Sequence, residues 1–246
     1  MKRGIEMLKI NHLTKLYKGS NKGVKDVTLS IEPGDIYAFI GHNGAGKTTT
    51  LKCVVGIHDF DEGEILVNGT SVKENPLLCK QQLAYIPDNP DIYEYLTGIQ
   101  YLNFIADVFE VSVADREARI AKYADAFEIT ASLGDLISSY SHGMKQKLAI
   151  ISALVHEPKL LILDEPFVGL DPKAAVILKG IMHEVCENGG AIFFSTHVLD
   201  VAEKLCNKVA IIKDGTLIAS GQMDEMVKEG TSLESIFMEV YHDKAD

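Results

Sequence analysis

Short apolar runs bounded by turn residues open the chain: MLKINHL, VTLSI, IYAFI and EILVNG, the last running into the Asn68-Gly69 pair that favours a tight hairpin turn. They predict strands through about residue 90, interrupted by one helix that begins just after Gly46. From about residue 97 the period changes: Thr97 and Gln100 fit a capping box, and Leu102, Ile105, Ala106 and Phe109 recur at helical spacing. This predicts a helical insertion of roughly sixty residues. Beyond it come a buried strand KLLILD, a helix from about Pro172 to Cys186, an apolar strand GAIFFST, a helix near His197 to Cys206, and the strand pair KVAIIKDG and TLIASG. Strands alternating with helices imply an α/β fold with a mostly parallel sheet. No repeat, low-complexity tract or linker divides the chain. The expectation is one domain over 1–246, with a core at about 5–90 and 158–225, a helical subdomain at 91–157 and a tail at 226–246.

Composition narrows the partners. With 46% hydrophobic residues in 246, a sizeable core is assured. The net charge of -11, from 35 acidic against 24 basic residues, argues against a sequence-independent grip on nucleic acid, which needs a basic face. Any phosphate must be held locally. Cys53, Cys79, Cys186 and Cys206 lie far apart with no CxxC pair, so free thiols are expected rather than a zinc site or disulfide framework. The N-terminal MKRGIEMLKI has no apolar stretch of signal-peptide length, and nowhere do about eighteen apolar residues run together. A cytoplasmic chain that does not itself cross a membrane is expected.

The chemistry begins at GHNGAGKTTT, where Gly41, Gly46, Lys47 and Thr48 fall on the G-x-x-x-x-G-K-[ST] template, after an apolar strand and before a helix. Glycines let the backbone turn tightly and aim N–H groups at phosphate oxygens, and the helix N-terminus adds its positive dipole end. The expected phosphate-binding set is Gly41, His42, Asn43, Gly44, Ala45, Gly46, Lys47, Thr48 and Thr49, with the His42 side chain pointing to solvent. Lys47 would neutralise β and γ phosphates and Thr48 would ligate Mg²⁺. In KLLILDEP, Asp164 and Glu165 emerge at the carboxyl end of a buried strand, where ligands sit in open α/β sheets. Asp164 can hold Mg²⁺ directly or through water, and Glu165 can polarise an attacking water; the bland alternative is a solvated turn. STH after the next strand brings Ser195, Thr196 and His197 to the same edge, within reach of a γ-phosphate.

With YSHGMKQK, Tyr140 to Lys147, shortly before LLILDEP, the sequence resembles the ATP-binding subunit of an ABC transporter over residues from about 7 to 225. The stretch is similar to the LSGGQ signature of that family, which P-loop kinases and GTPases lack. Physically, Ser141 would cap a long apolar helix ending near Glu157-Pro158 and offer a second phosphate site. The resemblance implies a P-loop NTPase cassette with an N-terminal antiparallel β subdomain and an inserted helical signature subdomain, working on ATP and Mg²⁺. It implies that Ser141 and Gly143 close over the ATP of a second subunit, either a homodimer mate or a closely related ATPase. It further implies that Tyr17 stacks on adenine, where a lone Tyr would otherwise be packing, that Gly169 to Asp171 communicates between subunits, and that His197 is the switch histidine supporting Glu165.

Two departures stand out. After Ser141 the chain reads His142, Gly143, Met144 where the family usually has Gly-Gly-Gln, a form that resembles exporter-type cassettes; hydrolysis is expected to be retained. Asp88 stands where the family most often has a glutamine; a carboxylate can still ligate Mg²⁺ beside Thr48 and Asp164, but adds negative charge near the γ-phosphate. Region 88–100 is implied to receive a short helix of a membrane-spanning permease, so that the chain meets the membrane only indirectly, at its inner face. From the short tail after residue 225, the extra C-terminal regulatory domain found on some importer cassettes is not expected. The alternative is a soluble superfamily ATPase of translation or DNA repair; such proteins generally carry two cassettes, a long coiled-coil insertion or a basic face. A kinase or GTPase would not explain the signature, and a module that closes on ATP without turnover would not need Glu165 and His197.

Overall fold

The computed structural model describes residues 6–20, 22–228 and 230–242. The apolar runs fold as strands β1 (Leu8–Leu16), β2 (Gly23–Ile31) and β3 (Ile36–Ile40), followed by helix α1 (Lys47–Val54), strands β4 (Glu62–Val67) and β5 (Thr70–Ser71), helix α2 (Pro76–Gln82) and strand β6 (Leu83–Ile86). Helices α3 (Gly98–Val108), α4 (Val113–Ala126) and α5 (His142–Leu154) come next. The chain then runs through β7 (Leu160–Asp164), α6 (Pro172–Glu187), β8 (Ala191–Thr196), α7 (Leu199–Leu205), β9 (Lys208–Lys213), β10 (Thr216–Gln222), α8 (Met223–Met226) and α9 (Leu233–His242).

The strands form two sheets. An antiparallel one has the order β2-β1-β4-β5. The second, β10-β9-β3-β8-β7-β6, is parallel except for the antiparallel edge strand β10. In β3 alternate side chains serve two cores: Ile36, Ala38 and Ile40 face the helical side, whereas Tyr37 and Phe39 pack with α1 and the antiparallel sheet. Leu161 and Leu163 divide from Leu160 and Ile162 in the same way. A strand covered on both faces must be apolar throughout, which is why IYAFI and LLIL carry no polar alternation. The hairpin turns use left-handed pairs, Asn68 (φ 48°) with Gly69 (φ 77°) and Asp214 (φ 48°) with Gly215 (φ 81°).

Register fixes the site. Ile40 pairs with Thr196 and Asp164 with Ser195, so the segments leaving β3, β7 and β8 emerge side by side at one sheet edge. The Thr97 capping box is present, with the Gln100 N–H donating to Thr97 Oγ1 (3.3 Å) and the Thr97 N–H to Gln100 Oε1 (2.9 Å).

Three expectations need correction. The first ninety residues hold a second helix, α2, with Pro76 in its first turn, and it leads into the short strand β6; four and seven residues are too few for a period to show. Helix α5 ends at Leu154 rather than near Glu157, because Glu157 adopts a left-handed backbone (φ 52°). Helix α7 starts at Leu199, leaving His197 before it. All four cysteines are free, and among the described residues no helix is long and apolar enough to cross a membrane.

Candidate active site

The loop from Gly41 to Lys47 is shaped by contacts that exclude side chains. A Cβ on Gly41 would lie 2.5 Å from the Ile212 carbonyl oxygen, and one on Gly46 (φ 112°) 2.6 Å from Val24 Cγ1. Glycine is required at both. The loop closes on itself through the Ala45 N–H, which donates to the His42 carbonyl (3.1 Å), and it delivers Lys47 as the first residue of α1. Lys47 is 6% exposed; its ammonium donates to the Gly41 carbonyl (2.7 Å) and lies 3.4 Å from Glu165 Oε1.

Across the cleft, Asp164 is buried, with Oδ1 accepting the Ser195 hydroxyl and Oδ2 lacking a protein partner. Glu165 turns the chain in the left-handed region (φ 49°), a strained choice for a residue with a side chain. Ser195 holds that turn: the Glu165 N–H donates to its Oγ (3.1 Å) and to its carbonyl (3.2 Å). Glu165 Oε2 is 2.9 Å from His197 Nδ1 and also accepts the His197 N–H (3.3 Å).

Lys47, Asp164 and Glu165 border a cleft of about 310 Å³ together with Tyr17, His42, Asn43, Gly44, Gly46, Thr48, Thr49 and Asp88, whereas Gly41, Ala45 and His197 lie outside its lining. Tyr17 is 41% exposed, with its hydroxyl 3.2 Å from Thr49 Oγ1, so the ring is free on one side rather than packed in the core. Asp88 Oδ1 accepts the N–H of Asn89 (2.9 Å). Lys22 and Gly23 also border the cleft, and nothing in the sequence signalled either. Tyr85 was likewise missed: its hydroxyl is buried without a partner, and burial, reinforced by the charges of Asp164 and Asp88, pushes the phenol up.

His42 is exposed, and its ring also meets aromatic neighbours from α9, at 5.1 Å from Phe237 and 4.5 Å from Tyr241 between centroids, which nothing in the sequence signalled. The signature residues lie outside the cleft. Ser141 caps α5, accepting the Met144 N–H (3.3 Å). A Cβ on Gly143 would meet the Gly169 carbonyl at 3.2 Å, so the signature rests against the Gly169–Asp171 loop. Asp171 caps α6 by accepting the Ala174 N–H (2.8 Å) and pairs with Lys147 (2.7 Å), which holds its carboxyl below the usual carboxylate range.

The donor set suits a magnesium nucleotide. Asp164 Oδ2 and Glu165 Oε1 are buried oxygens with no hydrogen-bond partner among the described residues, near the buried Lys47 ammonium. Among the described residues no cluster of three or more His, Cys, Asp or Glu could hold a metal alone, so a divalent ion here would need phosphate oxygens and water to fill its shell.

Comparison with known proteins identifies the family. The profile of the ABC transporter family matches residues 24–168. The chain belongs to that family. This ABC chain is 34% identical over 245 residues to the ABC-type transporter ATP-binding protein EcsA of Bacillus subtilis, covering 98% of the chain and 99% of that protein. A solved ATP-binding subunit of an ABC transporter superposes with a TM-score of 0.91 at 35% identity, over 96% of this chain and 99% of that one. CbiO1 of Clostridium perfringens, described as part of the complex cbiONQ, matches at TM-score 0.76 and 26% identity, over 89% and 90%. The ABC chain is therefore an ATP-binding subunit with the cassette fold: a mostly parallel sheet, an antiparallel β subdomain and an inserted helical signature subdomain.

Proposed function

We propose that this chain hydrolyses Mg-ATP as one half of a dimer, in which Ser141 and Gly143 of each copy close over the nucleotide held by the other, and that it drives a separate membrane-spanning permease. The observation that carries the reading is the convergence of Lys47, Asp164 and Glu165 on one cleft at the carboxyl ends of β3 and β7, with His197 from the end of β8 against the Glu165 carboxylate. Lys47 would neutralise the β and γ phosphates, cradled by residues 41–49. Bound Mg²⁺, held by Thr48, Asp164 and Asp88, would supply charge neutralisation at the transferring phosphoryl group. Glu165 orients a water for attack and draws its proton, and His197 holds the carboxylate in that pose. Tyr17 supports the adenine. Its ring is partly exposed at the cleft wall, with the His58 ring 6.0 Å away in an edge contact.

Closure must be strongly driven by ATP: moving a population from 1:99 to 99:1 takes about 5.5 kcal/mol of differential binding. Two composite sites per dimer, each with a cation from one chain and a capped helix N-terminus from the other, suit that demand. The permease is proposed to dock at residues 88–100, where Tyr93 and Tyr95 are exposed, so that the single-domain chain works at the cytoplasmic face of the membrane without entering it. Export is the proposed direction, on the exporter-like Ser141-x-Gly143-Met144 form.

Phosphate release by purified Glu165→Gln and wild-type protein tests the reading. The variant should lose turnover by at least about 10²-fold, the usual range for a general base, and accumulate as an ATP-bound dimer on size exclusion. Undiminished hydrolysis would remove Glu165 from the mechanism.

A further inference from the structure

Helix α9 follows all the family's motifs, yet it packs its last turn onto the phosphate loop. Its start is fixed by Leu233, which is fully buried and whose N–H donates to Glu203 Oε2 of α7 (2.7 Å). One helical turn on, Phe237 is buried and meets the His42 ring edge-on. A second turn brings Tyr241, whose ring lies 4.2 Å from that of Phe237 and 4.5 Å from that of His42 between centroids. The ε-ammonium of Lys213 closes the far end by donating to the Tyr241 carbonyl (2.6 Å), a favourable cation at a helix C-terminus.

The Tyr241 hydroxyl is used twice. It donates to the Ile212 carbonyl at the end of β9 (2.7 Å) and accepts the backbone N–H of His42 (3.2 Å). Ile212 O is the same atom that a Cβ on Gly41 would strike at 2.5 Å. One phenol therefore ties both sides of the point where the chain leaves β3 and turns into the loop that delivers Lys47. Burial raises the Tyr241 phenol above its ordinary value of 10.0, so it keeps the proton it donates across the physiological range.

We propose that Tyr241 is a positioning residue for the phosphate loop: through its hydroxyl, α9 fixes the Gly41–His42 peptide and thereby preorganises the loop for nucleotide phosphate. The inference rests on the proposed nucleotide function of that loop. Preorganisation acts on binding. The carbonyl of the same peptide accepts the Lys47 ammonium, so the tie acts on the cation that would hold the phosphates, whereas Glu165 is held by Ser195 and His197; the effect therefore belongs chiefly in KM.

The test is Tyr241→Phe, which keeps the ring contacts and deletes only the hydroxyl, with Met238→Ala on the exposed side of the same helix as control. Hydrogen exchange of nucleotide-free protein, read by mass spectrometry over residues 41–47, should speed up in Tyr241→Phe and stay at the wild-type rate in Met238→Ala. KM for Mg-ATP, and Kd for a fluorescent ATP analogue, should rise about three- to ten-fold, as expected for one lost hydrogen bond, with kcat changed by less than about twofold. Wild-type exchange and KM in Tyr241→Phe would overturn the proposal. So would a lowered Tm with kcat and KM impaired together, the mark of a merely structural role. If the wild-type chain binds no Mg-ATP, the nucleotide reading and the positioning role fall together; if it binds and Tyr241→Phe matches it, only the positioning role falls.

Discussion

Lys47 Nζ and Glu165 Oε1 lie 3.4 Å apart as a buried ion pair without hydrogen-bond geometry. Both are largely out of water, the ammonium 6% exposed and the carboxylate 15%, with the Gly41 carbonyl on the one and His197 on the other as their remaining polar partners. A phosphate that draws Lys47 toward itself releases Glu165 Oε1, so a group used to bind and a group used to activate water are linked before either acts. Lys47→Met should leave that carboxylate oxygen buried and uncompensated and lower the stability of nucleotide-free protein by about 1–3 kcal/mol. Adding Glu165→Gln should return part of the loss. Urea unfolding of wild type, both single variants and the double variant checks this, and strictly additive losses would show that the pair carries no coupling.

Ser195 is the second support. Its hydroxyl donates to Asp164 Oδ1 and accepts the Glu165 N–H, so one oxygen steadies the proposed metal ligand and the strained residue beside it. Ser195→Ala strips the Asp164 carboxylate of the one hydrogen bond it makes among the described residues, Oδ2 having none there. We expect a stability loss of about 1–3 kcal/mol and a fall in kcat larger than any change in ATP affinity. Equal ATPase rates in Ser195→Ala and wild type would mean that the hydroxyl is not needed to hold the two carboxylates.

Much of this was legible in the sequence because it is local. IYAFI followed by a glycine loop and LLIL followed by Asp-Glu each announce a buried strand ending in chemistry, and the register of β3, β7 and β8 then brings Lys47, Glu165 and His197 together. The Thr97 capping box and the Asn68-Gly69 turn were equally readable, since both are closed within four residues. What escaped is short or distant. Strand β6 and helix α2 are too brief to show a period. Tyr241 reaches His42 across 199 residues of sequence, and no local pattern says which aromatic of an amphipathic tail will find a backbone N–H. Lys22 borders the cleft, and Tyr85 comes within reach of the Asp164 and Asp88 charges, only through the packing of distant segments.

The aromatic stretch before α3 divides into unequal parts. Tyr95 is 74% exposed, whereas Tyr93 is 46% exposed and lies within a cluster with Tyr95, Tyr101 and Phe104 at 5.7–6.1 Å between centroids. A residue held for packing would not stand as open as Tyr95. Tyr95→Ala should leave Tm and nucleotide affinity unchanged and reduce sedimentation with membranes that carry the permease about ten-fold, as for an aromatic anchor at an interface. Tyr93→Ala should show the same defect together with a lower Tm. If membrane sedimentation of Tyr95→Ala matches wild type, residues 88–100 are not the docking site.

His156 sets an acid limit on the fold. Its ring stacks on Phe109 at 3.7 Å between centroids and 10° between planes, and its Nε2 lies 3.2 Å from the Leu83 carbonyl. A carbonyl only accepts, so Nε2 carries the proton and Nδ1 is left buried without a partner. Burial lowers this imidazole below its ordinary value of 6.5; the Leu83 hydrogen bond opposes that, and the charge of Arg119 adds to it. The unfolded chain therefore takes up a proton near pH 6.5 while the folded chain resists it, and stability falls as pH drops from about 7 toward 5. His156→Phe keeps the stacked ring and removes the titration. In urea unfolding from pH 8 to 5, the variant's stability should fall less steeply below pH 6.5, by at most about 1.4 kcal/mol per pH unit for one proton, while above pH 7 the two proteins should run parallel. Curves that stay parallel through the acid range would show that another group sets the acid limit.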